Sequence, residues 1–161
     1  MPKNIALFFE GTKFRSFGQR TSSIIKMATS LERKNAEGDV QLSFYFRGVG
    51  SGIGTTGASR VVDTALGGLF GTGMAEVIQQ AYRQLVLNYE NGDRLYIFGW
   101  SRGAFAAIRF CDLLLAKGVQ RPERMSELPR MVTEVLNRDP WKKWDEDTGL
   151  SEDLETAAGT I

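Results

Sequence analysis

Ser101 stands between Gly99 and Gly103 in the stretch Tyr96-Ile97-Phe98-Gly99-Trp100-Ser101-Arg102-Gly103-Ala104, a short apolar run that ends in the pattern G-x-S-x-G. This pattern suits a sharp strand-to-helix bend, where a side chain at either flanking position would collide with neighbouring backbone and the serine hydroxyl is held out for nucleophilic attack. A serine hydroxyl is a poor nucleophile near neutral pH. It needs a base within hydrogen-bond reach, and that base is usually oriented by a carboxylate. The chain of 161 residues contains no histidine, so the setting of a nucleophile is present without its usual base.

The surroundings of such a serine can be placed from the same logic. The N–H of Arg102, at the start of the following helix, would face an oxyanion, and a second donor would come from the loop after the first strand, around Gly11, Thr12 and Lys13. A pocket of this kind takes an acyl ester or an anionic ligand, with or without turnover. Glu10 ends a strand on the side where ligands bind in open parallel sheets. It is either a functional carboxylate or a residue that bonds loop backbone and holds the turn, and the second role is preferred because an ordinary carboxylate, with a pKa of about 4.3, is a feeble base toward a hydroxyl. Asp139, Asp145 and Asp147 are further acids, read as solvated surface charge. Gly52-Ile53-Gly54-Thr55-Thr56-Gly57 matches G-x-G-x-x-G after a strand, the context of a dinucleotide fingerprint. Glycine is so dense between Gly48 and Gly73 that the match is expected by chance, and no strand-terminal acid follows at the required distance. No cofactor is expected. With no histidine and one cysteine, no transition-metal site is expected either.

Composition bounds the remaining choices. Twenty Lys and Arg against 19 Asp and Glu leave a net charge of +1, which gives no field for steering toward nucleic acid, and none is expected as a partner. Cys111 has no partner in the chain, so no disulfide framework exists and a reducing, cytoplasmic setting is expected. The apolar run after Asn4 is too short for a signal-peptide core or a membrane span. Any export would then use a signal-independent route.

The elements that must position these residues alternate. Ile5 to Phe9 reads as a buried strand, Ser22 or Ser23 as the cap of a helix reaching about Asn35, and Val40 to Arg47 as a second strand ending at Gly48. A long glycine-rich loop runs from Gly48 to Gly73, in which Leu66, Leu69, Phe70 and Met74 form either a lid or ordinary core, core being preferred. A helix from Thr72 to about Asn91-Gly92, a strand from Arg94 to Phe98 and a helix from about Arg102 to Ala116 follow. Glu123 to Leu136 is expected to be helical but interrupted at Pro129, and Pro140 breaks it. This βα alternation predicts an α/β domain of three layers with a short, mostly parallel sheet over residues 1–140, and a partly docked or flexible tail over 141–161. The helix after Ser101 carries Phe105, Ile108, Phe110, Cys111, Leu113, Leu114 and Leu115 and is apolar nearly all round. Three strands cannot cover such a helix on every side, so a second copy or a second chain is expected to complete the sheet.

Phe8-Phe9-Glu10-Gly11-Thr12, Tyr45-Phe46-Arg47-Gly48-Val49-Gly50-Ser51, Ala81-Tyr82, Tyr89, Gly92-Asp93 and Phe98-Gly99-Trp100-Ser101-Arg102-Gly103-Ala104, in this order, resemble one family over residues 4–118. It is the α/β-hydrolase-like family that includes the phospholipase effectors of type VI secretion. The resemblance implies a bacterial setting, a nucleophile at Ser101 and hydrolysis of ester bonds in lipids, with membrane lipid as a substrate. The chain departs from the family at Glu10, where the family usually has aspartate. It also lacks the acid and histidine that the family supplies downstream of the serine, in the order serine, acid, histidine. The expectation is therefore a hydrolase-like chain truncated after its nucleophile helix. It would either depend on a partner for ester hydrolysis or act without turnover as a ligand-binding or protein-interaction module.

Overall fold

The computed structural model describes residues 2–11, 22–48 and 72–138. Three strands, β1 (Asn4–Phe9), β2 (Gln41–Phe46) and β3 (Arg94–Gly99), form a parallel sheet in the order β2-β1-β3. The central strand pairs Phe9 with Phe46 on one side and with Gly99 on the other. Every residue of β1 is buried, which is why Ile5 to Phe9 reads as an unbroken apolar run rather than an alternating one.

Side-chain alternation along β1 feeds two unequal layers. Ile5, Leu7 and Phe9 face the larger core, where α2 (Thr72–Asn88), α3 (Arg102–Lys117) and α4 (Leu128–Leu136) supply Ile78, Leu85, Phe110, Leu113, Leu128 and Met131 among others. Ala6 and Phe8 face α1 (Ser23–Ser30), which contributes Ile24 to a much smaller cluster, and Phe8 stacks on Phe98 at 4.9 Å. The result is the α/β three-layer arrangement expected from the alternation of elements. Met74 is fully buried in the larger core, as the core reading of that residue requires. Leu66, Leu69, Phe70 and the whole G-x-G-x-x-G match lie outside the described residues.

Two boundaries differ from the sequence-based expectation. The first helix ends at Ser30 rather than near Asn35, and Leu31 is already extended. The chain instead closes a tight turn in which the Asn35 side chain accepts from Asp39 N at 2.7 Å and Gly38 takes φ 88°. An Asn side chain that bonds its own backbone in this way competes with continued helix. The second difference is at Pro129. A 3₁₀ helix over Pro122–Glu127 precedes α4, and Pro129 falls in the first turn of α4, where its missing N–H would have no intrahelical acceptor in any case.

Arg109 is a charged residue buried among the helices of the larger core. It pairs with Asp112 at 2.8 Å and donates to the carbonyls of Val135 and Arg138 at the end of α4. A cation there complements the negative end of that helix and ties it to α3. Among the described residues no helix is long and apolar enough to cross a membrane.

Candidate active site

The carboxyl ends of β1 and β3 lie next to each other, and the site is built where they end. At the end of β3 the chain turns into α3 through Trp100 and Ser101. Ser101 takes φ 53° and ψ −126°, and it is the one non-glycine residue with positive φ among those described. Such a conformation costs about 1–3 kcal/mol and persists only where its surroundings enforce it. The flanking glycines show how. A Cβ on Gly103 would lie 2.5 Å from the Glu10 carbonyl oxygen, and one on Gly99 would lie 2.5 Å from the Ala104 Cα and 2.7 Å from the Gly103 carbonyl oxygen. The strand and helix therefore approach closely enough that only glycine fits at both positions. Ser101 is exposed and, although it occupies the position before the helix, its side chain makes no cap hydrogen bond. A serine placed there normally caps. Here the backbone directs the hydroxyl elsewhere.

The loop after β1 meets this turn directly. A Cβ on Gly11 would lie 3.2 Å from the Ser101 Cβ and 3.2 Å from the Trp100 ring. Gly11 is thus beside the serine. Its N–H, however, donates to its neighbour's carboxylate, Glu10 Oε1, at 2.9 Å. Thr12 and Lys13 lie outside the described residues. The Arg102 N–H is the first of the helix and so has no intrahelical acceptor,; the Arg102 side chain is exposed.

Glu10 is buried, and its carboxylate accepts three hydrogen bonds. Besides the Gly11 N–H, it accepts from the Ser22 hydroxyl and, at 3.2 Å, from the Tyr45 hydroxyl. Ser22 in turn accepts from Ile25 N at 3.1 Å and so caps α1. One carboxylate therefore joins the end of β1, the start of α1 and the outer strand β2, which fits the turn-holding role. Burial, followed by the Glu10 charge, pushes the Tyr45 hydroxyl up to about 12, so it stays a proton donor across the ordinary pH range. Ser22 and Tyr45 have no local signal as partners of Glu10, since they stand 12 and 35 positions away in the chain. Asp139, Asp145 and Asp147 lie outside the described residues. Among the described residues no group of three or more His, Cys, Asp or Glu could hold a metal ion.

Trp100 is 63% exposed beside the serine, an apolar surface at the mouth of the site. The arrangement chemically offers a presented hydroxyl, a helix N-terminus that favours developing negative charge, and an apolar flank.

Residues 3–158 match the family described as T6SS, Phospholipase effector Tle1-like, catalytic domain. The match continues past residue 118, where the motifs quoted from the sequence end. The chain is also 31% identical over 166 residues to the Uncharacterized protein YEL023C of Saccharomyces cerevisiae, covering 93% of this chain and 22% of the yeast protein. It thus spans about a fifth of the length of that relative, which is a yeast protein. No solved structure matches.

Proposed function

The chain belongs to the family of Tle1-like phospholipase effector catalytic domains, and from that premise we propose that it carries the nucleophile side of a lipid-ester hydrolase site. Ser101 Oγ attacks the ester carbonyl carbon. The Oγ–C bond forms, the carbonyl oxygen becomes an oxyanion beside the Arg102 N–H, and the leaving alkoxide takes a proton as its bond to carbon breaks. Trp100 provides the apolar surface along which an acyl chain lies. The observation that carries this reading is the strained backbone of Ser101, φ 53° and ψ −126°, held between two glycines. Backbone strain of this kind clusters at functional sites, which supports a use for the hydroxyl.

The proton on Ser101 Oγ needs an acceptor, and these 161 residues contain no histidine. Glu10 does not serve, because its hydrogen bonds to Gly11, Ser22 and Tyr45 all hold structure. In this reading the base is a group other than Glu10 and other than a histidine of these 161 residues. The same observations favour a second reading, in which the pocket binds an acyl or anionic ligand without turnover. A fluorophosphonate probe separates the two, applied to the purified chain and to Ser101→Ala, before and after addition of lysate from the native host. Labelling that is lost in Ser101→Ala, in either condition, is expected for a competent nucleophile. Labelling only after lysate assigns the base to a partner, and no labelling in either condition refutes hydrolysis and leaves ligand binding.

A further inference from the structure

The exit of β1 is packed by backbone from both sides. Toward β3, a Cβ on Gly103 would lie 2.3 Å from the Phe9 carbonyl oxygen, and one on Gly11 would lie 3.2 Å from the Ser101 Cβ. Toward β2, a Cβ on Gly48 would lie 1.5 Å from the Gly11 carbonyl oxygen, 2.4 Å from the Gly11 carbonyl carbon and 3.1 Å from the Glu10 carbonyl oxygen. Gly48, Gly11 and Ser101 therefore form a row of close contacts, in the order of the strands β2, β1 and β3 that lead to them. Gly48 is buried, and its φ is not in the left-handed region. What excludes a side chain there is space, not conformation. The same exit is also held by side chains, since Glu10 Oε1 accepts from the Gly11 N–H at 2.9 Å and Glu10 Oε2 accepts from the Tyr45 hydroxyl at 3.2 Å. Tyr45 belongs to β2. The outer strand thus holds Gly11 twice, at its carbonyl through Gly48 and at its N–H through Tyr45 and Glu10.

We propose that Gly48 is a positioning residue of the Ser101 site, with Tyr45 as a second hold, so that the end of β2 seats the Gly11 backbone against the nucleophile. This rests on the nucleophile reading of Ser101 and names the element that sets its geometry. Neither residue is placed at the reacting atoms. Both act through Gly11, whose seat has no slack, because a Cβ on Gly11 would already lie 3.1 Å from the Trp100 carbonyl oxygen and 3.2 Å from the Ser101 Cβ. Close-packed backbone does not absorb a displacement; it passes it on to the next contact. A methyl group on Gly48 would force the Gly11 carbonyl to move, and the only neighbours it can move against are those that enforce the serine turn. Misplacing the groups around a reacting centre by about 1 Å can cost about 100-fold in rate. The G-x-S-x-G pattern does not include Gly48, which reaches the site only through the pairing of β2 with β1.

The time course of fluorophosphonate labelling, with and without lysate from the native host, tests this. In Gly48→Ala the labelling rate constant at saturating probe is expected to fall by about 10- to 100-fold. The probe concentration giving half the maximal rate is expected to stay close to that of the parent chain, and so is the fraction labelled at completion. A residue that only supports folding behaves differently: its loss lowers the labelled fraction and leaves the rate of the folded fraction unchanged. A folded Gly48→Ala that labels at the parent rate therefore overturns the proposal. Where Gly48→Ala does not fold, Tyr45→Phe decides in the same way, since it removes one hydroxyl from a side chain that is 37% exposed. Its rate constant is expected to fall about two- to tenfold, the worth of one hydrogen bond, and a parent-like rate there overturns the proposal. A parent chain that is not labelled in either condition refutes the nucleophile reading itself and removes the proposal with it, which is distinct from a labelled parent whose variants match it.

Discussion

At the end of β1, Glu10 is buried and its carboxylate accepts from Gly11, Ser22 and Tyr45, whereas one strand away, at the end of β3, Ser101 is exposed, sits at φ 53° and leaves its helix without a side-chain cap. The two ends are within contact of each other, and they divide the work. Buried polar groups that are fully hydrogen-bonded make a strand end rigid. A strained residue beside that rigid end can then be held in a conformation it would not otherwise keep. The difference teaches that the hydrogen bonds of Glu10 go into holding the strand end, whereas the Ser101 side chain is not used to cap its helix.

The comparison breaks most completely if the close approach between the two ends is prevented. Gly103→Ala places a Cβ 2.5 Å from the Glu10 carbonyl oxygen, with backbone on both sides and no flexible group to yield. Overpacking of this kind costs roughly 3 kcal/mol, and urea denaturation is expected to show a loss of that order or a chain that fails to fold. A near-normal midpoint would mean that the strand ends can separate freely and that the serine turn is not enforced from β1.

Removing the scaffold side alone has a smaller expected effect. Glu10→Ala leaves the Gly11 N–H and two hydroxyls without their shared acceptor, a loss of about 2 kcal/mol, whereas Glu10→Gln keeps one acceptor oxygen and costs about 1 kcal/mol. Denaturant melts of the two variants check the order. Equal stability of Glu10→Ala and the parent chain would remove Glu10 from the scaffold and reopen a direct chemical role for it.

The smallest change in stability, and the one that sharpens the contrast most, is expected at Ser101 itself. Glycine relieves the positive φ but loosens the unfolded chain, so Ser101→Gly is expected to be more stable than Ser101→Ala by about 1 kcal/mol. Both variants lose the hydroxyl. Identical thermal midpoints for the two would limit the strain at Ser101 to about the 1 kcal/mol by which glycine loosens the unfolded chain, and would weaken the main support for the nucleophile reading.

Several elements are legible in the amino-acid sequence because their causes are local. The unbroken run from Ile5 to Phe9 marks a strand buried on both faces, and Gly99 and Gly103 around Ser101 mark a turn that only glycines permit,. The end of α1 is less legible. Asn35 can continue a helix or bond back to Asp39, and the choice depends on where the chain must enter β2.

By itself, then, the sequence determined the strands, the parallel alternation with helices, the serine turn and the absence of a histidine to serve it, since periodicity, turn chemistry and composition act within a few residues. Tertiary structure alone decided which donors bond to the Glu10 carboxylate, why Arg109 lies buried in a largely apolar helix to bind the end of α4, and which side of α3 the described residues leave uncovered. Those outcomes depend on groups brought together from distant parts of the chain. A buried carboxylate or guanidinium is tolerated only where such partners converge, and no local pattern announces where they will come from.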